Sequence, residues 1–471
     1  MIRHTKNQAN ELKPVDAVLI GAGQRGANDY APFALRHPDQ LRFVAVAEPL
    51  AERRARFALQ HHIPLENQFV SWEALFACTQ IAQAAIICTQ DQMHVGPALA
   101  ALRAGYDVLL EKPVATTREG CRQVVSAAAE LGRQLHVCHV LRYTHHFQTM
   151  RQILQSGVLG QIINLDHREN VSWWHMSHSF VRGSWANIAE SCPMILAKCC
   201  HDFDILLWML ERKCERLSSV GKLVHFRSEN APANAPERCL DGCSVSETCP
   251  FYAPFIYVDL LPLWRNVAET STGWAHLVMQ AQLRAPGLVK ALGTVAPVMR
   301  QVNDYRGWPR SVVTLDPTPE SVLEALKSGP YGRCVYHCGN DVVDHQVVLM
   351  QFEGDISVTL TMHGHSHVEG RSTRIEGSHG QLQAFFGLGG SWIEVHEHRS
   401  GRSTRHDTTS EVGAAHGGGD EGLIAAFVRS IREGRTQLAS ELAQQALESH
   451  LIAFAAEDAR LGGQVVSTKK L

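Results

Sequence analysis

Short apolar blocks recur through the first third of the chain. Val15–Ile20 has the pattern of a strand and is followed at once by glycines. Phe43–Ala47, Ala84–Cys88 and Asp107–Leu110 read as three more strands, with helical patterns such as Ala51–Gln60 and Pro97–Ala104 between them. Strands alternating with helices of this length specify βαβ units and a parallel sheet. Val18-Leu19-Ile20 and Ala85-Ile86-Ile87 are unbroken apolar runs, as expected of strands buried on both faces.

The rhythm changes near residue 140. Strand patterns lengthen and alternate, as in Val347–Phe352 and Ile356–His363, and Gly-rich turns separate them. A large open mixed or antiparallel sheet with one face on helices is expected. The stretch 214–333 is rich in Pro, Asn and Gly and reads as an irregular, Cys-containing insertion. Helices close the chain at Asp420–Glu433 and Glu441–Arg460. In the second, Ala443, Ala446, Leu447, Leu451, Ile452 and Ala455 share one face. The expected fold class is α/β: a flexible tail at 1–14, a doubly wound parallel-sheet domain at 15–139, and an α+β domain at 140–471.

Composition narrows the functions. Of 471 residues, 45% are hydrophobic and 19% charged, which suits two globular cores. A net charge of -3 without a Lys/Arg block argues against nucleic acid as a partner. No apolar run approaches the ~18 residues of a membrane helix. The polar start lacks the apolar core of a signal peptide, so a cytoplasmic location is expected, with the thirteen cysteines mostly free thiols.

The first strand runs into Gly21-Ala22-Gly23-Gln24-Arg25-Gly26. Glycines there permit a tight turn and let backbone N–H groups approach a pyrophosphate at a helix N-terminus, as in a Rossmann domain. Glu48 directly follows the second strand. A carboxylate at that point accepts hydrogen bonds from both ribose hydroxyls and repels a 2′-phosphate, which favours NAD over NADP. Arg53 and Arg54 nearby leave room for NADP.

Further along, Glu111-Lys112-Pro113 ends the fourth strand, preceded by Thr89 and His94. Arg142-Tyr143, Gly157-Val158-Leu159-Gly160-Gln161-Ile162, His201-Asp202-Phe203-Asp204 and His416-Gly417-Gly418-Gly419-Asp420 follow. With the glycine turn, these residues resemble the glucose–fructose oxidoreductase / inositol dehydrogenase / rhizopine catabolism (Gfo/Idh/MocA) family across nearly the whole chain. The resemblance implies that Lys112 lies beside the nicotinamide and touches substrate, that Pro113 is cis, and that His201 is the proton acceptor. It implies cofactor contacts from Gly21, Gly23, Gln24, Arg25, Gly26, Glu48, Thr89, His94, Glu111 and Lys112. It also implies a homo-oligomer, dimer or tetramer. The family's aspartate one turn before the histidine is absent: Ala197 stands there, with Lys198 next to it.

Chemistry supports the lysine independently. Hydride removal from a carbinol needs a group to take the hydroxyl proton. A lysine near a cationic nicotinamide would have a depressed pKa and could take it. The competing reading is a strand-end lysine paired with Glu111. His201 could equally be a helix-entry residue making a cap. Trp173–Trp185 interleaves aromatics with His175, His178 and Arg182, residue types that stack on sugar rings and bind hydroxyls. With Arg142, Tyr143, Trp185, Lys112, Lys198 and His201 they form the expected substrate contacts.

Cys239, Cys243 and Cys249 fall within eleven residues, and Cys334 and Cys338 come later. Three thiols could hold a structural zinc ion if a fourth joined from elsewhere. Free thiols in an insertion are the plainer alternative. The expected activity is NAD-dependent hydride transfer from a ring hydroxyl carbon of a sugar, sugar derivative or cyclitol. Two rivals stand beside it: an NAD-dependent oxidoreductive glycosidase, which oxidises C3 transiently, eliminates, hydrates and re-reduces, and a cofactor-sensing regulator without catalysis.

Overall fold

The computed structural model describes residues 13–294, 296–410 and 415–469. Most of the expected tail, residues 1–12, lies outside them. The chain forms two compact units. The first comprises 13–115, 119–138 and 421–444. The second comprises 116–118, 139–420 and 445–469.

The first unit is built on β1 (Val15–Ile20), β2 (Leu41–Ala47), β3 (Gln68–Phe69), β4 (Ala84–Ile87), β5 (Asp107–Leu110) and β6 (Leu135–Val137). Their spatial order is β3-β2-β1-β4-β5-β6, and every pairing is parallel. This is the doubly wound order whose crevice lies where the winding reverses, between β1 and β4. Val18, Leu19, Ile86 and Leu109 are wholly buried, as the apolar runs required. Residues 421–444, read from sequence with the second region, belong to this unit. Phe427 packs edge-on against His136 at 5.2 Å, and Ser430 Oγ donates to Gln134 Oε1 at 2.6 Å.

The second unit holds a nine-stranded sheet. Its strands are β7 (Ile162–Ser172), β8 (Cys214–Lys222), β9 (His345–Phe352), β10 (Ile356–Ser366), β11 (Gly370–Gly377), β12 (Gly380–Gly387), β13 (Ser391–Glu397), β14 (Ser403–Asp407) and β15 (Val466–Ser467). The order is β14-β13-β12-β11-β7-β10-β9-β8-β15. β7 and β10 run parallel and the other neighbours antiparallel.

The region 214–333 corrects one expectation. Among the described residues it opens with β8, is irregular over 223–252 apart from the short turn Ser228–Asn230, and then carries seven α-helices between Ala253 and Ser328 where irregular chain was expected. Pro254, Pro262, Pro286, Pro297 and Pro319 each sit in the first turn of a helix. Proline is welcome there, because the N–H it lacks would have had no intrahelical partner. Read without that position, the same prolines signal loops. The helices bury Tyr257, Trp264, Val322 and Leu326 around Trp174.

Candidate functional site

In the first unit the site begins at the end of β1. Gly21 has φ +89, and a Cβ there would lie 2.5 Å from Cys88 O. A Cβ on Gly26 would lie 2.3 Å from Gly21 O. Only bare backbone fits both positions, so the turn keeps its N–H groups open to close approach. Gln24 and Arg25 start the helical turn Gln24–Tyr30 that follows. Gly23 faces Arg53 Nη1, 3.9 Å from where its Cβ would be.

Glu48 is buried and fixes this turn from below. Its Oε2 accepts from the Ala22 N–H at 2.8 Å and its Oε1 from the Leu50 N–H at 3.0 Å. An ionised carboxylate has about four lone-pair sites, so acceptor capacity for ribose hydroxyls remains.

Across the sheet, the end of β5 carries Glu111-Lys112-Pro113, and the Lys112–Pro113 bond is cis. Glu111 is buried and its ion pair is with Arg25, Nε to Oε1 at 2.7 Å. Tyr30 donates to the same oxygen at 2.5 Å, and the Lys112 N–H donates to Oε2 at 2.7 Å. Burial works to raise the Glu111 pKa, but the Arg25 and Lys112 charges and the Tyr30 hydroxyl outweigh it and hold it below its ordinary value. The Arg25 pair thus links the glycine turn to the lysine turn. Lys112 itself is half-buried. His94 is wholly buried, with Nδ1 2.6 Å from Pro113 O and Nε2 3.1 Å from Thr89 O. Both ring nitrogens face backbone carbonyls, so His94 ties the lysine turn to the Thr89 turn. Thr89 Oγ1 donates to Met93 O at 3.3 Å.

In the second unit, His201 is the second residue of the helix Cys200–Leu210 and is buried. Its ring meets His139 edge-on at 5.6 Å, and His139 meets His450 at 5.5 Å. The two acids that follow serve the interior. Asp204 takes two bonds of 2.6 Å from Arg142, which also donates to Gln445 at 2.9 Å. Asp202 accepts from His167 at 2.9 Å and Arg371 at 2.7 Å.

Lys198 directly follows the short helix Met194–Ala197, where the family pattern has its acid. Its Nζ stands 3.4 Å from Glu169 Oε1 and 3.6 Å from Glu369 Oε1. Arg371 pairs with Glu169 at 2.5 Å across the β7–β11 ladder, where the two residues are in register. Glu369 also accepts from His175 Nδ1 at 2.8 Å and from the Ser172 N–H at 2.6 Å. Burial disfavours the Lys198 ammonium, but Glu169 and Glu369 outweigh it, so its pKa rises. Burial likewise acts against the Asp202 and Glu369 carboxylates, yet Arg371 on the first, and His175 and Lys198 on the second, hold both below the usual range. Burial pushes Glu169 up despite Arg371 and Lys198.

Sequence reasoning missed Glu169, Glu369, Arg371 and His167. One signal was present: Leu165, His167, Glu169 and Val171 alternate on a single face of β7, and all four are buried. Polar residues on the core face of a strand mark a site or a network.

Three residues expected at the substrate have partners in the interior. Arg142 is held by Asp204. His178 is buried between Tyr331, stacked at 4.9 Å, and Tyr257, whose hydroxyl lies 3.2 Å from Nδ1; burial drives its pKa well down. Arg182 donates to Arg333 O and Phe251 O, both at 2.7 Å. Long side chains leaving an aromatic-rich segment are as useful for tying down a helical insertion as for gripping a ligand. Tyr143, Trp185, His175 and Lys198 keep partial exposure. All thirteen cysteines are free thiols. Among the described residues, no group of three His, Cys, Asp or Glu stands gathered to hold a metal ion, and no helix is long and apolar enough to cross a membrane.

Comparison with known proteins agrees with the geometry of the first unit. The GFO_IDH_MocA family, described as "oxidoreductase family, NAD-binding Rossmann fold", matches residues 15–139. Inositol 2-dehydrogenase 2 of Saccharopolyspora erythraea is 33% identical over 129 residues, 27% of this chain and 34% of that protein. A 2,7-anhydro-N-acetylneuraminate hydratase of Mediterraneibacter gnavus is 23% identical over 218 residues, 46% of this chain and 55% of the relative. The matches thus span about a third to a half of these relatives. The fold extends further: an inositol dehydrogenase homolog of Azotobacter vinelandii, solved with NAD+, superposes with a TM-score of 0.59 over 99% of this chain and 100% of its own, at 15% identity.

Proposed function

From the chain's membership of the Gfo/Idh/MocA oxidoreductase family, we infer that it is an NAD-dependent dehydrogenase acting on a ring hydroxyl of a sugar, sugar derivative or cyclitol. The observation that carries the reading is the Arg25–Glu111 pair, which ties a glycine turn that admits only backbone to the cis turn bearing Lys112. Arg25 and Lys112 both act on Glu111, so the carboxylate is shared between the two turns.

The residues fit the cofactor. Gly21, Gly23 and Gly26 leave the turn's backbone open to a pyrophosphate, and Glu48 retains acceptor capacity for the ribose hydroxyls while its charge disfavours a 2′-phosphate. Bound nicotinamide supplies the hydride acceptor. Lys112 and His201 are the groups proposed to handle the hydroxyl proton, and Tyr143, His175, Trp185 and Lys198 to contact the sugar. Lys112 takes the proton as the C–H bond breaks, and His201 is proposed to orient the hydroxyl.

A second reading is favoured by one feature. Lys198, an ammonium held charged by two glutamates, replaces the region of the family's acid at Ala197. Together with the match to a hydratase, this supports a reaction with net elimination or hydration, in which the hydride is returned.

The test is a panel of sugars and cyclitols with NAD, followed by absorbance of the reduced cofactor and by product analysis. With a substrate in hand, Lys112→Ala and His201→Ala should each lose about 10²–10⁴-fold in turnover while NAD affinity, read by fluorescence, persists. Near wild-type turnover by Lys112→Ala refutes the assignment. Product formation without accumulation of reduced cofactor selects the second reading.

A further inference from the structure

The insertion of the second unit contains a chemistry that hydride transfer does not use. Cys239, Cys243, Cys249 and Cys334 border one cavity of about 10 Å³, room for a single water-sized occupant. Two remote stretches meet there. The backbone pairs as a bridge at Arg238 and Arg333, with Cys239 N–H on Gly332 O and Cys334 N–H on Glu237 O, each at 2.9 Å. Cys243 and Cys249 follow in a turn, where the Cys249 N–H donates to Val245 O at 2.8 Å.

A second observation is independent of the thiols. Arg182 and Arg238 also line this cavity. Arg182 is 5% exposed, and its Nη1 is buried without a hydrogen bond among the described residues; Arg238 Nε is in the same state. No carboxylate lines the cavity. A buried guanidinium favours a negative partner, and four thiols border the same space as these two guanidiniums.

We propose that Cys239, Cys243, Cys249 and Cys334 form a structural tetrathiolate site for a divalent zinc ion, with Arg182 and Arg238 balancing its charge. Binding replaces four S–H bonds by four Zn–S bonds and releases four protons to solvent, leaving a site of net charge -2. Two guanidiniums beside it offset that charge. The small cavity suits one ion and excludes a multi-iron cluster. As the side chains stand, the thiols border the space without closing on one point, so ligation includes their inward rotation, the usual coupling of a structural metal to local folding. Cys338 is outside the set: its Sγ donates to Cys334 O at 3.2 Å and it does not line the cavity. The site stands apart from the proposed reaction and does not depend on it.

The experiment is metal analysis of the full chain purified in reducing buffer, followed by cobalt exchange. The expected result is about one zinc per chain, and a cobalt form with the thiolate charge-transfer absorption of a tetrahedral sulfur site. Cys334→Ser should lose the metal, while Cys338→Ser retains it. Because Cys334→Ser could unfold the insertion, thiol titration of the native wild-type chain provides a second reading. Four thiols should be protected until a chelator is added, and should then react. No zinc after purification and zinc loading, or no change in thiol reactivity on chelation, overturns the proposal. Cobalt bound without sulfur charge transfer overturns it equally.

Discussion

Removing the Arg25 guanidinium would leave a carboxylate buried without its cation. Arg25→Met keeps most of the side-chain volume and deletes the 2.7 Å contact to Glu111, whose side chain is 6% exposed. Losing one partner of a buried pair costs about 3–5 kcal/mol. Arg25 is 25% exposed, so solvent already screens part of the interaction, and about 2–4 kcal/mol is the expected loss. The pH dependence is the sharper test. In the wild type, the Glu111 pKa is lowered in the folded state. Its contribution is therefore complete above the unfolded value and fades as pH falls through the folded one. In Arg25→Met burial is opposed only by Lys112 and Tyr30, so the folded value rises relative to the wild type. The ionised carboxylate then contributes less near neutral pH than in the wild type, and that difference fades as pH falls and the group takes up a proton. The stability gap between the two proteins should be widest near neutral pH and should narrow toward about pH 4. Urea unfolding across that range measures it, and hydrogen exchange of the β4 and β5 amides assigns it to the first unit. Arg25→Met/Glu111→Gln should recover part of the loss at neutral pH, since the Glu111 charge goes with its cation, while Asp29, which Arg25 also meets at 2.7 Å, keeps the remainder. A gap that does not vary with pH would show that the pair is not the source of the effect.

Two other outcomes follow from the glycine turn. Gly26→Ala drives a Cβ to 2.3 Å from Gly21 O; NAD affinity should fall by at least about tenfold, roughly 1.4 kcal/mol, in calorimetric titration, and unchanged affinity would place the cofactor elsewhere. Glu48→Gln retains an acceptor for the Ala22 N–H but removes the charge, so the ratio of NAD to NADP affinity should drop about tenfold; a ratio that stays constant would assign the discrimination to another group.

Much of the first unit was legible because its signals are local. The apolar runs at Val18 and Ala85 became central parallel strands, and Ala51–Gln60 is a helix with the boundaries expected of it. Glycines at 21 and 26 announced a turn that only they can make. The second unit was legible in outline alone. Its alternating strands gave the sheet, but the pairing of Glu169 with Arg371 depends on register between β7 and β11, about two hundred residues apart, which no local pattern encodes. Lys198 stood out as a departure, yet its meaning came from Glu169 and Glu369, which fold brings to it. The Pro-rich stretch after Cys249 misled for a different reason: the same residue type both breaks helices and begins them, and position decides which. The three cysteines at 239, 243 and 249 asked for a fourth, and the Arg238–Arg333 bridge brings in Cys334 as the proposed one.

The return of residues 421–444 to the first unit has a consequence for how the protein is made. A ribosome that has released residues 13–138 has delivered all six strands of the parallel sheet, but not Phe427 and Ser430, which cover His136 and Gln134. At about 5–20 residues per second, the remaining three hundred residues take roughly 15–60 s to emerge. Throughout that interval the nascent domain presents an unfinished apolar flank at β6, while the whole of the nine-stranded sheet except β15 is being synthesised. The parallel-sheet domain is thus translated ahead of the nine-stranded sheet yet waits for residues 421–444 to be completed, and a fragment cut after the parallel sheet would carry that exposed flank permanently.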